Sequence, residues 1–152
     1  MHISVSFRIL GILLMLFSTT LLVPLSMAWL ADDRTAMGFA SALLITFCSG
    51  LCMWFPMRKV RHELRIRDGF LITSLFWIVL GLFGALPFAL NDHLDLTVTE
   101  AIFESISGLT TTGATVIVGL DKLPQSILIY RQLLQWLGGI GIIVVAVAVL
   151  PM

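Results

Sequence analysis

Apolar residues along this chain gather into four long runs separated by short polar breaks. The runs cover about Ile9 to Ala31, Met37 to Phe55, Phe70 to Leu90, and Ser126 to the C-terminus. Each has about the 20 residues a bilayer-spanning helix needs. None carries a charge in its middle, Arg34 and Arg131 lying near ends. Four transmembrane helices are predicted. In the first run, Arg8, the apolar stretch and Ser26-Met-Ala28 also resemble a cleavable signal peptide. The apolar region exceeds the roughly 7–15 residues of such a peptide, which favours a span.

The break between the third and fourth runs is of a different kind. Val98-Thr-Glu-Ala-Ile-Phe-Glu-Ser-Ile-Ser-Gly-Leu109 is too short to cross a bilayer, and Thr110-Thr-Thr-Gly-Ala-Thr115 follows it at once. Thr97-Val-Thr-Glu100 fits a capping box, which marks a helix start. The helix is predicted to end near Leu109, with Ala101, Ile102, Phe103, Ile106 and Leu109 as its packing contacts. Entering from outside, it would aim unpaired C-terminal carbonyls, carrying about half a negative charge, at the membrane centre.

The hydroxyl-rich stretch after it holds one glycine. Non-helical backbone at membrane depth survives only inside protein or beside a water-filled cavity. Successive carbonyls can replace the hydration shell of an ion without adding fixed charge. Aiming them at one axis needs unusual backbone angles, which glycine adopts without steric penalty. Thr111, Thr112 and Gly113 are therefore the candidate ion-binding residues, with Ala114 and Thr115 behind them. An ordinary helix C-cap and surface loop is the competing reading of the same residues.

Composition supports a membrane protein. The chain is 59% hydrophobic and 12% charged, with a mean hydropathy of +1.04, against about 25% charged residues in soluble domains. Net charge is zero, so nucleic-acid binding has no electrostatic support. The link between the second and third runs holds Arg58, Lys59, Arg61, Arg65 and Arg67 against Glu63 and Asp68. Short loops rich in Lys and Arg stay in the cytoplasm, which places the N-terminus inside. Contact of this loop with anionic lipid is a lesser reading.

Catalysis has no visible machinery. His62-Glu63 lacks the second histidine of a metalloprotease, Ile66 standing in its place, and neither a nucleophile elbow nor a phosphate-binding glycine loop occurs. Cys48 and Cys52 share a helix face; two thiols do not complete a four-ligand zinc site, and burial as small hydrophobes is expected. Gly81 with Ala85, and Gly138-Gly-Ile-Gly141, read as close helix contacts. Trp29 and Trp54, near span ends, suit interface anchoring. Arg131 is expected to bond to Glu104 or to loop carbonyls and brace the stretch, with snorkelling as the alternative.

Phe103-Glu-Ser-Ile-Ser-Gly-Leu-Thr-Thr-Thr-Gly-Ala-Thr-Val116 and Tyr130-Arg-Gln-Leu-Leu-Gln-Trp-Leu-Gly-Gly-Ile-Gly-Ile142 resemble the Trk/Ktr/HKT potassium transporters, and among them the bacterial Trk-type membrane subunits. The resemblance runs over nearly the whole chain. It implies an all-α integral membrane protein of two leading transmembrane helices (1–69, with the basic loop) and one helix–pore helix–filter–helix repeat (70–152). Such proteins carry four repeats, so this chain is expected to be an N-terminal part, apparently truncated. The resemblance assigns Thr111, Thr112 and Gly113 to one of four filter strands that bind K⁺, the transported ion, with no other cofactor. It also implies the bacterial inner membrane, a homodimer and a cytoplasmic nucleotide-binding regulatory subunit. Channel-like and proton-coupled transport both stay open. The alternative from another class is a non-conducting membrane scaffold or assembly subunit.

Overall fold

The computed structural model describes residues 3–58 and 66–149, and among these the chain is helical with no strand. Four helical runs are long and apolar enough to cross a membrane: Ser4–Leu30, Ala36–Met57, Leu71–Ala89 and Gln125–Ile143. They match the four predicted runs to within a few residues. Lys59, Arg61, His62, Glu63 and Arg65 of the basic link lie outside the described residues.

The first run is broken rather than continuous. Helix α1 covers Ile3–Thr20 and α2 Leu22–Leu30, with Leu21 between them. Pro24 has no N–H to give the carbonyl of Thr20, and its ring crowds that carbonyl. Ser18, Thr19 and Thr20 donate their hydroxyls back to Met15, Leu16 and Phe17 carbonyls at 2.6, 2.6 and 2.7 Å. Back-bonding of this kind bends helices. The third run divides for the same reason: α4 (Ile66–Gly84) gives way to a short α5 (Leu86–Ala89) around Pro87.

Helix α3 (Ala36–Met57) lies along α1. A Cβ on Gly11 would stand 2.7 Å from the Gly50 carbonyl oxygen, and one on Gly50 2.8 Å from that of Gly11. Small residues let the two backbones touch, as in membrane helix pairs generally. The buried face of α3 is Gly38, Phe39, Ala42, Thr46 and Gly50. That stripe turns Cys48 and Cys52 to the opposite side, where both are exposed. The expected burial of the thiols is thus corrected by helical phase.

Two more helices follow, α6 (Val98–Leu109) and α7 (Gln125–Val149). Tyr130 of α7 joins the layers: its ring meets Phe39 of α3 edge-on at 5.6 Å and Phe88 of α5 at 5.0 Å. Its hydroxyl donates to the Gly84 carbonyl at 2.6 Å. The start of α7 is held by Ser126, whose hydroxyl donates to Asp33 at 2.7 Å, while the Thr35 hydroxyl donates to the other oxygen of that carboxylate. Many apolar side chains face outward, among them Leu44, Phe47, Ile78 and Ile143. Lipid is the solvent such a surface requires, so the chain is a multi-pass membrane protein.

Candidate ion-filter site

The short helix begins as its sequence predicts. The Glu100 N–H donates to the Thr97 hydroxyl at 3.4 Å, and the Thr97 N–H donates to the Glu100 carboxylate at 2.8 Å. The Thr97 side chain holds the Glu100 carboxyl below its ordinary value. With 12 residues, α6 is about 18 Å long at 1.5 Å per residue.

Its packing differs from expectation. Ala101 and Leu109 are buried, but Phe103 and Ile106 are each 44% exposed. The buried face is instead small and polar: Glu104, Ser105, Ser107 and Gly108. Close approach of the neighbours is the cause. A Cβ on Gly84 of α4 would sit 2.5 Å from the Ser105 oxygen, and one on Gly138 of α7 would overlap the Leu109 carbonyl. Gly138 and Gly81 therefore serve close packing as read, Ile106 keeping one edge against Gly81, whereas Gly139 faces open space and Gly141 meets Trp77 only at ordinary contact distance.

Helix α6 ends in a Schellman-type cap. Thr111 N–H donates to the Gly108 carbonyl and Thr112 N–H to that of Ser107, both at 3.0 Å. These are the paired bonds of that motif, with Thr111 in the position usually given to glycine. Thr110 N–H takes the Ile106 carbonyl at 2.8 Å, and Gly113 N–H reaches Ser107 at 3.4 Å. The final carbonyls are accordingly not left unpaired, as the sequence had suggested; the following backbone folds over three of them. The capping reading is right for this first part of the segment.

The cap requires left-handed backbone at Thr111 but not at Gly113, two residues on. Thr111 has φ of 57° and Gly113 of 74°. For glycine that angle is free, but a β-branched residue there is an outlier, costing roughly 1–2 kcal/mol. Strain of this size persists only where surrounding structure imposes it, and it concentrates at functional sites. Thr112, between them, is not left-handed. The N–H groups of Thr111, Thr112 and Gly113 all turn back to the helix-end carbonyls of Gly108 and Ser107, the common direction that alternating backbone hand gives successive N–H groups.

Among the hydrogen bonds of the described residues, none ends on the carbonyl oxygens of Thr111, Thr112 or Gly113. Both neighbours are taken: the Thr110 carbonyl by the Thr111 hydroxyl at 2.7 Å, the Ala114 carbonyl by the Ser107 hydroxyl at 2.6 Å. Residues Thr110 through Val116 are exposed, one side resting on α6 and α7 and the other open.

Beyond Ala114 the segment is held by Glu104, which is only 2% exposed. Its Oε1 accepts the Thr115 hydroxyl, the Val116 N–H at 2.7 Å and the Ile117 N–H at 3.4 Å. Its Oε2 accepts Nε of Arg131 at 3.1 Å. The pairing of Arg131 with Glu104, read from the sequence, is thus present. Ser107 and Gln135 were not anticipated as parts of the site. Gln135 lies one turn beyond Arg131, its amide 3.8 Å from where a Cβ on Gly113 would be. Its spacing from Arg131 and Gly138 places all three on one face of α7.

The described residues thus build a span, a helix too short to cross, an irregular stretch folded back over it, and a second span, the outline of a membrane transport protein. Residues 35–152 match the family model of the TrkH cation transport proteins. The Trk system potassium uptake protein TrkH of Vibrio parahaemolyticus is 57% identical over 95% of this chain and 30% of its own length. That of Escherichia coli K12 is 52% identical over 99% and 31%, and TrkG of the same organism 40% identical over 99% and 31%. The crystal structure of the potassium transporter TrkH from Vibrio parahaemolyticus superposes with a TM-score of 0.95 at 54% identity, covering all of this chain and 32% of that one. The chain belongs to the TrkH family of cation transport proteins. It spans about a third of the length of these relatives.

Proposed function

We propose that this chain supplies one quarter of a K⁺-selective pore in a Trk-type uptake system, with residues 70–152 as the first pore repeat and 1–69 as a leading two-helix unit. The names of its relatives give the ion. The observation that carries the reading is the row of three unbonded carbonyls at Thr111, Thr112 and Gly113, bracketed by two bonded ones. Four such rows around an axis would replace the water around K⁺, whose bare burial otherwise costs tens of kcal/mol. The filter face is open in this chain because three quarters of each ring belong to other repeats.

The Lys- and Arg-rich link supports a cytoplasmic N-terminus, and the proposal sets the chain in the bacterial inner membrane. Short helix α6 then enters from outside, and the negative interior potential draws the cation inward by about 2.3 kcal/mol per 100 mV. Assembly as a homodimer with a cytoplasmic nucleotide-binding regulatory subunit belongs to the same proposal. One glycine per strand preorganises fewer carbonyls than a TVGYG filter, so discrimination against Na⁺ is looser than in a dedicated potassium channel.

The exposure of Thr110 through Val116 also suits the second reading, a non-conducting scaffold with a solvated outer loop. Rubidium uptake into a potassium-starved strain by the full-length protein separates the two. In that protein Gly113→Ser, forcing a side chain onto left-handed backbone, is expected to lower the K⁺/Na⁺ permeability ratio. An unchanged ratio would count against the site. Single cysteines from Thr110 to Thr115 are expected to react with small cationic reagents and to be protected by K⁺; uniform unprotected labelling would favour the loop.

A further inference from the structure

Three residues of α6 hold the whole ascending segment, and they share one helix face by their spacing of three and four. Gly108 takes Thr111, Ser107 takes Thr112, Gly113 and Ala114, and Glu104 takes Thr115, Val116 and Ile117. The contacts run in reverse order along the helix, so α6 acts as a template against which the backbone is laid. The three free carbonyls fall between the lower anchors and Glu104. Their register is fixed at the far end by that carboxylate.

We infer that Glu104 is a positioning residue for ion selection, acting as a hydrogen-bond acceptor for the backbone beyond the filter, with Arg131 serving to keep it aimed. This rests on the filter reading above. The direction of the bonds carries the argument. All four partners of the carboxylate are donors: one hydroxyl, two backbone N–H groups and one guanidinium nitrogen. A backbone N–H cannot reverse its role. An arginine at position 104 would therefore meet donors with donors, and exchanging the two charges would restore the ion pair while losing the anchor. A simple stabilising ion pair predicts the opposite.

Ion selection is sensitive to such an anchor because carbonyl spacing decides which ion is well coordinated. The ratio of K⁺ to Na⁺ permeability thus reports on the strand in a way that general stability does not. Weakening the anchor is expected to lower that ratio while the protein still reaches the membrane and conducts.

The test uses the complete transporter containing this chain, in cells lacking other potassium uptake, with membrane abundance measured beside K⁺ and Na⁺ fluxes. Glu104→Gln keeps the shape but sets an amide N–H₂ toward Arg131. It is expected to lower the K⁺/Na⁺ ratio roughly tenfold, the scale of one hydrogen bond to a charged group. Thr115→Val removes a hydroxyl that donates to the Glu104 carboxylate and accepts from the Ile117 N–H, and should lower it about threefold, less than Glu104→Gln because the carboxylate keeps its other three donors. Arg131→Lys, which keeps the charge, should lie nearer the wild type than Glu104→Gln. The exchange Glu104→Arg with Arg131→Glu should restore nothing.

An unchanged ratio in both Glu104→Gln and Thr115→Val, or recovery in the exchanged pair, overturns the inference. Should Glu104→Gln fail to reach the membrane, Thr115→Val decides alone. Gly113→Ser run in parallel separates the two levels. If it shifts selectivity and the Glu104 and Thr115 variants do not, only the positioning role falls. If it has no effect, the filter reading falls and this inference with it.

Discussion

The α1–α3 pair and the α4–α6–α7 unit both gather long helices, yet they are held together by different means. Between α1 and α3 the contact is steric: Gly11 meets Gly50, and the buried Thr46 hydroxyl is spent within its own helix on the Ala42 carbonyl at 2.7 Å. In the α4–α6–α7 unit the third, shorter helix intervenes, and its buried face carries a carboxylate, two serines and a glycine. A pair of spans needs only shape to associate in lipid. A segment of irregular backbone needs acceptors for its N–H groups, and α6 supplies them for Thr111, Thr112, Gly113, Val116 and Ile117. The contrast shows that one half is built for packing and the other for holding backbone in a chosen position.

The largest test of that contrast is removal of the acceptor. Glu104→Leu leaves Arg131 and the Val116 N–H without their acceptor, Ile117 keeping the Thr115 hydroxyl, and breaking a buried pair this way costs about 3–5 kcal/mol. Thr46→Val in α3 strands no partner group but a helix carbonyl, and about 1 kcal/mol or less is expected. Thermal unfolding of the purified full-length protein in detergent measures both. Equal effects would abolish the distinction between the two regions.

A second comparison sets glycine against glycine. Gly138→Ala drives a methyl into the Leu109 carbonyl, where only backbone can move; overpacking of this kind costs about 1–3 kcal/mol or more. Gly11→Ala meets the Gly50 carbonyl at 2.7 Å and, between two straight helices free to part slightly, is expected to cost about 1 kcal/mol. Unfolding temperatures that rank the other way would mean that α6 is the looser of the two contacts.

The smallest expected effect lies at the start of α6, outside the buried part. Thr97→Ala removes the cap and should cost about 1 kcal/mol. Because Thr97 holds the Glu100 carboxyl below its ordinary 4.5, the contribution of that carboxylate is complete above this pH. It fades as pH falls further, through the lowered value. The gap between wild type and Thr97→Ala is thus expected to narrow in acid; a gap independent of pH would remove Glu100 from the cap.

Much of this was legible before any coordinates. The capping box at Thr97 and Glu100 was read correctly, since it depends on residues three apart in one helix. So was the pairing of Arg131 with Glu104, because a charge near the head of an apolar run has few ways to be satisfied. Burial within α6 was misread. Apolar character pointed to Phe103 and Ile106, whereas the glycines on α4 and α7 admit only small or hydrogen-bonded side chains. The thiols of Cys48 and Cys52 were misplaced for a related reason: an apolar helix in lipid buries by size and phase, not by hydrophobicity.

The sequence alone determined the number of spans, the short helix between the last two and the stretch able to offer carbonyls, because length and polarity decide what crosses a bilayer. Only the tertiary structure decided which carbonyls stay free. That choice depends on the segment folding back onto α6: the Thr111 hydroxyl occupies the Thr110 carbonyl and the Ser107 hydroxyl that of Ala114, while the carbonyls of Ser107 and Gly108 accept the N–H groups of Thr111, Thr112 and Gly113. Contacts between residues up to thirteen apart, and the left-handed backbone of a threonine, follow from this packing and leave no local pattern to read.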